Sequence, residues 1–314
     1  MKETCAVLGY GSQGRAWALN LRDSGVEVVI GLKNRSTSRS VARRDGFTAI
    51  ITVGEAVKRA EVVIMAVPDH VQGRLFKREI SANLQSGSAL VFLHGFSVHF
   101  KTVAGPSGVD VILLAPLGPG HAVREKYLAG ESVGFFYAIG QNGTGRARQR
   151  LDGLIDALKI NRKTLIKTSF ADEAIGDLFG EQAVLCGGLT QLIMTGFTTL
   201  RKAGLSADKA YLEVAYQLDL IVDLIKRFGI AGMYDRISLT ACYGSREAGP
   251  RVIDRTVECN MQKLFNEITS GRYAKRLNAL TPDAETRLRR DIMNMTSPDF
   301  ERAARKFSPE RKKK

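Results

Sequence analysis

Two carboxylates stand four residues apart in an apolar run in the second half of this sequence. They are Asp177 and Glu181 of the segment DLFGEQ, and at this spacing both side chains lie on one face of a helix. Like charges so placed repel unless something neutralises them, and carboxylates are typical ligands of hard cations such as Mg²⁺. A third acid, Glu213, precedes Gln217 by one turn in another apolar segment. The spacing is compatible with a Mg²⁺ site and also with a solvated helix face.

A glycine run near the N-terminus points to a second kind of chemistry. It follows a short apolar strand and opens an alanine-rich helix, which is the context that a GxGxxG loop needs to bind a pyrophosphate at a helix N-terminus. The sequence therefore predicts a dinucleotide site that includes Gly9, Tyr10, Gly11, Ser12, Gln13 and Gly14.

The segment after the second strand indicates which dinucleotide binds. NAD enzymes place an acid there for the ribose 2′-hydroxyl, but this chain has no acid between Glu27 and Asp45. Cations and hydroxyls suit a 2′-phosphate instead, so we expect NADPH rather than NADH. The predicted 2′-phosphate residues are Lys33, Arg35, Ser36 and Ser38; Asp69, Gln72 and Gly120 are also expected to contact the cofactor.

The pattern of elements changes near residue 167. Before it, short apolar strands alternate with amphipathic helices, which predicts an α/β Rossmann domain with a mostly parallel sheet. After it, long apolar-periodic segments predict an all-helical domain. We therefore expect a Rossmann domain at residues 1–167, a helical catalytic and dimerisation domain at 168–280, and a charged helix or tail at 281–314.

Composition and charge exclude several functions. The formal net charge is +14, but the cations are spread along the chain without interleaved aromatics, so we expect no nucleic-acid partner. We find no apolar run of the roughly 20 residues needed to span a membrane and no signal peptide, which predicts no membrane association. The four cysteines form no CxxC pair, which favours reduced thiols and a cytoplasmic location.

Further motifs occur in a fixed order along the chain. HGF begins at His94, APxGPGH at Ala115, and DLFGEQAVLCGG at Asp177, and Ile237-Ser238 follows. Together with the glycine run, this order resembles the ketol-acid reductoisomerase family in its short, class I form, over roughly residues 4–276. The resemblance implies a knotted helical half and a homodimer or higher oligomer with shared active sites.

The resemblance also implies a two-step reaction. Mg²⁺ ions polarise a 2-hydroxy-3-keto acid so that an alkyl group migrates, and NADPH then reduces the resulting 2-keto group. On this basis Asp177 would bridge the metal ions, Glu181 would bind one, and Glu213 would come from the partner subunit. Ser238 would hold the substrate carboxylate, and His94 would lie beside the reacting centre.

Two positions depart from the family pattern. The family has a lysine where this chain has Leu117, and a second glutamate where it has Gln217. Leucine offers no hydrogen bond, and a glutamine brings no negative charge to a metal. The changes favour one Mg²⁺ ion over two and a divergent NADPH-dependent reductase of a small 2-keto acid or an imine, with the isomerase step lost or altered.

Two alternatives stay open beside this reading. The chain could be a functional ketol-acid reductoisomerase that converts 2-acetolactate to 2,3-dihydroxyisovalerate in branched-chain amino-acid synthesis. It could also be a catalytically silent protein that binds NADPH as a structural group or as a sensor. Assays with small anionic substrates distinguish these alternatives, because the reductoisomerase converts 2-acetolactate whereas the silent protein converts no substrate.

Overall fold

The computed structural model describes residues 2–308, apart from the side chains of Pro282 and Arg289. An eight-stranded sheet in the first half has the strand order β3-β2-β1-β4-β5-β6-β7-β8. All neighbouring strands pair in parallel except β6 and β7. The strands are β1 (Cys5–Leu8), β2 (Val28–Gly31), β3 (Ile50–Ile51), β4 (Val62–Met65), β5 (Ala89–Phe92), β6 (Asp110–Pro116), β7 (Phe135–Asn142) and β8 (Leu165–Lys167).

Helices cover both faces of this sheet. One apolar cluster, which contains Trp17 and Leu154, packs on one face, and a second cluster, which contains Phe92 and Ile80, packs on the other. Because β1, β4 and β5 are buried on both faces, they are continuous apolar runs. The helices are α1 (Ser12–Asp23), α2 (Ser38–Arg44), α3 (Val53–Arg59), α4 (Asp69–Leu75), α5 (Phe96–His99), α6 (Gly120–Leu128) and α7 (Ala147–Ala157).

The predicted Rossmann architecture is confirmed, but the pattern did not reveal β3 and β7. Strand β3 has only two residues, and β7 is half-exposed, contains Gly140 and pairs antiparallel with β6. The first five residues of β7, Phe135–Ile139, are nevertheless an apolar run of the kind typical of strands.

The second half is helical, as predicted. Two π-helical segments, Glu181–Leu185 and Leu212–Tyr216, interrupt its long helices. The α-helices are α8 (Phe170–Gly180), α9 (Gly187–Lys202), α10 (Ala207–Tyr211), α11 (Leu218–Tyr234), α12 (Leu239–Val252), α13 (Arg255–Thr269), α14 (Arg272–Asn278), α15 (Pro282–Asn294) and α16 (Pro298–Phe307).

The chain forms two compact units. The N-terminal unit comprises residues 2–177 and Ala274–Ala279, and the C-terminal unit comprises Leu178–Tyr273 and residues 280–308. The division therefore falls ten residues after the boundary predicted at residue 167, and a short late segment joins the first unit.

The predicted charged segment at 281–314 contains two helices. Phe300 of α16 packs edge-on against Phe197 and Tyr211, with ring centroids 5.2 and 5.3 Å away, and Phe307 stacks on Tyr211. This helix is therefore part of the C-terminal unit. Residues 309–314 of the predicted tail lie outside the described residues.

One stretch, Phe170–Lys202, is long and apolar enough to cross a membrane by length and composition alone. This differs from the expectation that no such run exists. A single stretch of this kind is weak evidence for a membrane span, because helices that pack in a protein core have the same composition.

Candidate active site

A cavity of about 550 Å³ lies at the carboxyl edge of the parallel sheet. The glycine loop after β1, the loop after β2 and the segment after β4 all contribute to its lining. Ten of the predicted cofactor residues line it, and His94 lies at the same cavity. The ten are Gly9, Tyr10, Gly11, Ser12, Gln13, Lys33, Ser36, Ser38, Asp69 and Gln72.

Two predicted cofactor glycines, Gly14 and Gly120, serve close backbone packing instead of lining the cavity. A Cβ atom on Gly14 would lie 2.4 Å from the carbonyl oxygen of Gly9, and one on Gly120 would lie 2.1 Å from that of Ser12. Both glycines therefore let a helix approach the glycine loop. Gly9 itself has a φ of +100°, which favours glycine.

The loop after β2 presents Lys33, Ser36 and Ser38 to the cavity, whereas Arg35 is exposed and stands outside the lining. Arg39 is used differently. Its guanidinium donates hydrogen bonds of 3.0 Å to the carbonyl oxygens of Leu32, Lys33, Ile50 and Ile51. Arg39 thus ties the loop to β3 and leaves the predicted 2′-phosphate contacts to the other residues.

Gln72 has a fixed amide orientation at the cavity. Its Nε2 donates to the carbonyl oxygen of Val67 at 3.0 Å and to Oδ1 of Asp69 at 3.1 Å. Its Oε1 is buried and has no partner within residues 2–308. A hydrogen-bond acceptor in this state suits a donor on a bound dinucleotide, because an unpaired buried polar atom is costly.

His94 lies among three carboxylates. Its Nδ1 is 3.0 Å from Oδ2 of Asp69, and its Nε2 is 3.4 Å from Oδ2 of Asp177 and 4.0 Å from Oε2 of Glu173. Oε2 of Glu173 also accepts a 2.5 Å hydrogen bond from the backbone N–H of Gly95. Asp69 thus fixes the imidazole from one side, and Nε2 faces Asp177.

The carboxylates change the protonation of this cluster. Burial alone lowers the pKa of His94, but the hydrogen bond that His94 donates to Asp69 and the electrostatic attraction of Asp69, Glu173 and Asp177 raise that pKa to about 9. Burial raises the pKa of Glu173 to about 7, against the opposing effects of His94 and the Gly95 N–H. Burial also raises the pKa of Asp177. At neutral pH His94 is therefore an imidazolium that can donate from both nitrogens.

Sequence reasoning missed Glu173. It precedes Asp177 by four residues on α8, so the same spacing that singled out Asp177 and Glu181 extends to it. Its side chain is only 4% exposed, and its contact with Gly95 joins positions 78 residues apart in the chain.

Leu117 follows β6 with 48% of its surface exposed. Its backbone N–H donates to the carbonyl oxygen of Gly134 at 2.8 Å, and its side chain lies against Gly134. The next residue, Gly118, accepts a 2.8 Å hydrogen bond from Nε2 of Gln13 in the glycine loop. Leu117 is therefore half-exposed, and it directly precedes the residue that contacts the glycine loop.

The remaining predicted site residues belong to the C-terminal unit. Glu181 opens one π-helical segment, and Glu213 lies within the other. Such segments occur often at functional sites. Ser238 is the N-cap of α12, where its Oγ accepts a 3.1 Å hydrogen bond from the N–H of Ala241, and Nε2 of Gln217 donates to the carbonyl oxygen of Leu212. A site shared by these residues and Asp177 stays a prediction.

The chemistry of the predicted ligands suits a hard cation. Within residues 2–308 no three His, Cys, Asp or Glu side chains are grouped to hold a metal. Asp177, however, presents a carboxylate that is 43% exposed, and the negative charges around His94 favour a cation nearby. Carboxylate oxygens are the ligands that Mg²⁺ prefers, so the residues fit it.

The glycine loop at the edge of a parallel sheet, with a basic loop after β2, defines the class as an NADPH-dependent Rossmann oxidoreductase. Residues 1–162 match the acetohydroxy acid isomeroreductase NADPH-binding domain, and residues 170–306 match the ketol-acid reductoisomerase C-terminal domain. The chain belongs to the ketol-acid reductoisomerase family.

Individual relatives agree with this assignment. A ketol-acid reductoisomerase (NADP(+)) from Leifsonia xyli subsp. xyli is 48% identical over 274 residues, which cover 87% of this chain and 80% of that protein. The structure of an NADH-preferring ketol-acid reductoisomerase from an uncultured archean matches with a TM-score of 0.90 and 35% identity, over 98% of this chain and 95% of that one.

A more distant structure shows the fold alone. A semialdehyde dehydrogenase NAD-binding protein from Cupriavidus necator, in complex with calcium and NAD, matches with a TM-score of 0.64 and 18% identity. That match covers 86% of this chain and 99% of the other.

The comparisons confirm the predicted family and an NADPH-dependent oxidoreductase. They do not support the expected loss of the isomerase step or a preference for imines, and the complete family reaction fits at least as well.

Proposed function

We propose that this protein is a ketol-acid reductoisomerase that rearranges a 2-hydroxy-3-keto acid such as 2-acetolactate and reduces the product with NADPH. The observation that carries the proposal is the position of His94. It lies at the cofactor cavity, its Nδ1 is held by Asp69, and its Nε2 faces Asp177. A polar group is thus held where a substrate oxygen beside the nicotinamide needs one.

Different residues of the chain bind the cofactor and the substrate. The glycine loop and the N-terminus of α1 bind the pyrophosphate, and Lys33, Ser36 and Ser38 contact the 2′-phosphate. The His94 imidazolium, whose Nε2 makes no hydrogen bond within residues 2–308, donates a hydrogen bond to a substrate oxygen. Glu173 keeps Gly95, and therefore the His94 backbone, in place through the Gly95 N–H.

The metal completes this arrangement. Mg²⁺, when bound, acts as a Lewis acid on the substrate oxygens. Asp177, Glu181 and Glu213 are the residues that would hold it. Gln217 supplies a neutral amide where the family has a carboxylate, which supports one ion rather than two.

The C-terminal unit supports a homodimer with shared active sites. Large apolar side chains are exposed along it, whereas the buried apolar residues among its described positions are few. Those buried residues are Leu178, Phe197, Ala210, Met233, Ile268 and Ala303. A second copy would cover the exposed side chains, including those of Phe170–Lys202, without any membrane. A cytoplasmic location, also predicted, accords with an NADPH-dependent biosynthetic family.

A second candidate function is reduction of a 2-keto acid without the rearrangement. Leu117 and Gln217 favour it, because they replace a cation and an anion of the family pattern by groups that neither transfer a proton nor carry charge. Hydride transfer requires only a bound nicotinamide and a polarised carbonyl, so it tolerates both changes better than alkyl migration does.

One assay separates these functions. NADPH consumption is measured with 2-acetolactate and with 3-hydroxy-3-methyl-2-ketobutyrate, the rearranged intermediate, each with and without Mg²⁺. Turnover of both substrates supports the reductoisomerase, and turnover of the intermediate alone supports the reductase. Tight NADPH binding without turnover of either would refute both in favour of a binding protein.

A further inference from the structure

Asp45 lies at the centre of a polar network beside the cofactor cavity. Its Oδ2 accepts a 2.8 Å hydrogen bond from the phenol of Tyr10 and a 2.7 Å bond from Nε of Arg15. Its Oδ1 accepts from Nη2 of Arg15 at 2.8 Å, and its backbone carbonyl accepts from Arg22. Both carboxylate oxygens are therefore engaged, and the Arg15 contact is a two-point fork.

The aromatic contacts reinforce this network. The Tyr10 ring meets Phe47 edge-on at 5.8 Å between centroids, and the Arg22 guanidinium lies 5.0 Å from the centre of the same Phe47 ring. Tyr10 is 5% exposed and Asp45 has 14% of its side chain exposed, whereas the Arg15 side chain is 52% exposed, so solvent screens the Tyr10 contact more weakly than the Arg15 contact.

The network joins two loops that we expect to bind the cofactor. The glycine loop is expected to bind the pyrophosphate, and the loop at residues 33–38, the 2′-phosphate loop, is expected to bind the 2′-phosphate. Tyr10 belongs to the glycine loop, and Arg15 and Arg22 belong to α1, which follows it. Asp45 is the C-cap of α2, and α2 starts at Ser38, where the 2′-phosphate loop ends. Arg39 of α2 donates to the carbonyl oxygen of Leu32, which directly precedes the same loop, and to that of Ile50 in β3. The loop between Lys33 and Ser38 is thus held from both sides.

The charges agree with a positioning role. The hydrogen bond from Arg15 lowers the pKa of Asp45, and burial together with Asp45 raises the pKa of Tyr10, so the carboxylate stays ionised and the phenol stays a donor. Asp45 does not line the cavity, and its charge is matched by Arg15. It therefore adds no repulsion toward a dianionic 2′-phosphate.

We propose that Asp45 is a positioning residue for NADPH that fixes the spacing between the glycine loop and the 2′-phosphate loop. It acts through Tyr10 and Arg15 and touches no cofactor atom. Without the Asp45 side chain, NADPH binding must itself order the 2′-phosphate loop, and the cost of that ordering reduces the free energy of binding. NADPH therefore loses more affinity than NADH, because NADH makes fewer contacts to that loop.

The test measures cofactor binding directly. The single variant Asp45→Ala would leave the guanidinium of Arg15 without its acceptor. We therefore use the double variant Asp45→Ala/Arg15→Ala. We expect its Kd for NADPH, measured by nucleotide fluorescence, to rise about tenfold and that for NADH about threefold. Amide hydrogen exchange at residues 33–38 should be faster than in the wild type. Neither measurement needs turnover, so failure of the proposed reaction leaves the test intact.

Matched variants keep the test decisive. Asp152→Ala removes another Arg–Asp fork of the same unit, between Arg148 and Asp152 on α7, and should change neither Kd nor exchange at residues 33–38. Tyr10→Phe keeps the ring, removes only the phenol contact and should raise the Kd for NADPH about threefold. Equal losses in Asp152→Ala, or an unchanged Kd in either the double variant or Tyr10→Phe, would overturn the proposal.

Discussion

Replacing Glu173 by leucine or by glutamine separates the hydrogen bond to Gly95 from the space that the side chain fills. Both substitutes are close in size, but only glutamine keeps an oxygen that accepts from the Gly95 N–H, which in the wild type lies 2.5 Å from the carboxylate. Leucine leaves that buried N–H without a partner.

The magnitude follows from burial. Glu173 is 4% exposed, so an orphaned N–H there costs about 1–3 kcal/mol. We expect Glu173→Leu to lower the free energy of unfolding by about 1–3 kcal/mol, or Tm by about 2–12 °C, at a few degrees per kcal/mol for a domain of this size. Glu173→Gln should cost less than about 1 kcal/mol.

Activity should follow the same order because Gly95 is bonded to His94. A small displacement of a group beside the reacting centre can reduce the rate about 100-fold, so we expect kcat to fall about 10- to 100-fold in Glu173→Leu and less than tenfold in Glu173→Gln. Urea unfolding and NADPH oxidation provide the two measurements. Equal stability of the two variants would refute the reasoning.

Three further predictions concern other parts of the chain. Gly120→Ala places a Cβ within 2.1 Å of the Ser12 carbonyl oxygen, so it should lower Tm and weaken NADPH binding, measured by thermal shift with and without NADPH. Leu117→Lys with Gln217→Glu should accelerate turnover of 2-acetolactate about tenfold or more and leave turnover of the rearranged intermediate within about twofold, if those groups limit the rearrangement. Asp45→Asn should flatten the loss of stability in acid: because the folded pKa is lowered, the contribution of Asp45 is complete above its unfolded pKa of about 3.9 and disappears as the pH falls through the folded value. Urea midpoints between neutral and acidic pH would show no flattening if the network contributes nothing.

The sequence predicted those parts of the fold that leave a local pattern. Strands β1, β4 and β5 are apolar runs because both their faces are buried, and the glycine loop sits between a strand and a helix. Strand β7 also begins with an apolar run, Phe135–Ile139, which we did not assign from the sequence; its pairing with β6 is antiparallel and so departs from the parallel pattern.

The site divides in the same way. Lys33, Asp69 and Gln72 follow strands whose carboxyl ends meet at one edge of the sheet, so their order along the chain predicted that they lie together, and they line the same cavity. Glu173 and Asp45 act on residues 78 and 35 positions away, and only the folded chain brings those partners together. Gly14 and Gly120 were predicted as cofactor contacts, and both positions do need glycine. The atoms that leave no room for a side chain there belong to the protein backbone.

The segment Ala274–Ala279 has a consequence for how the protein is made. It belongs to the N-terminal unit, yet it leaves the ribosome on the order of a hundred residues after the rest of that unit. Most of the helical unit is therefore synthesised before the Rossmann unit has its final segment. A chain cut after residue 177 would keep the sheet and the glycine loop but lack that segment, so expression of the cofactor domain alone should begin from a fusion that restores it.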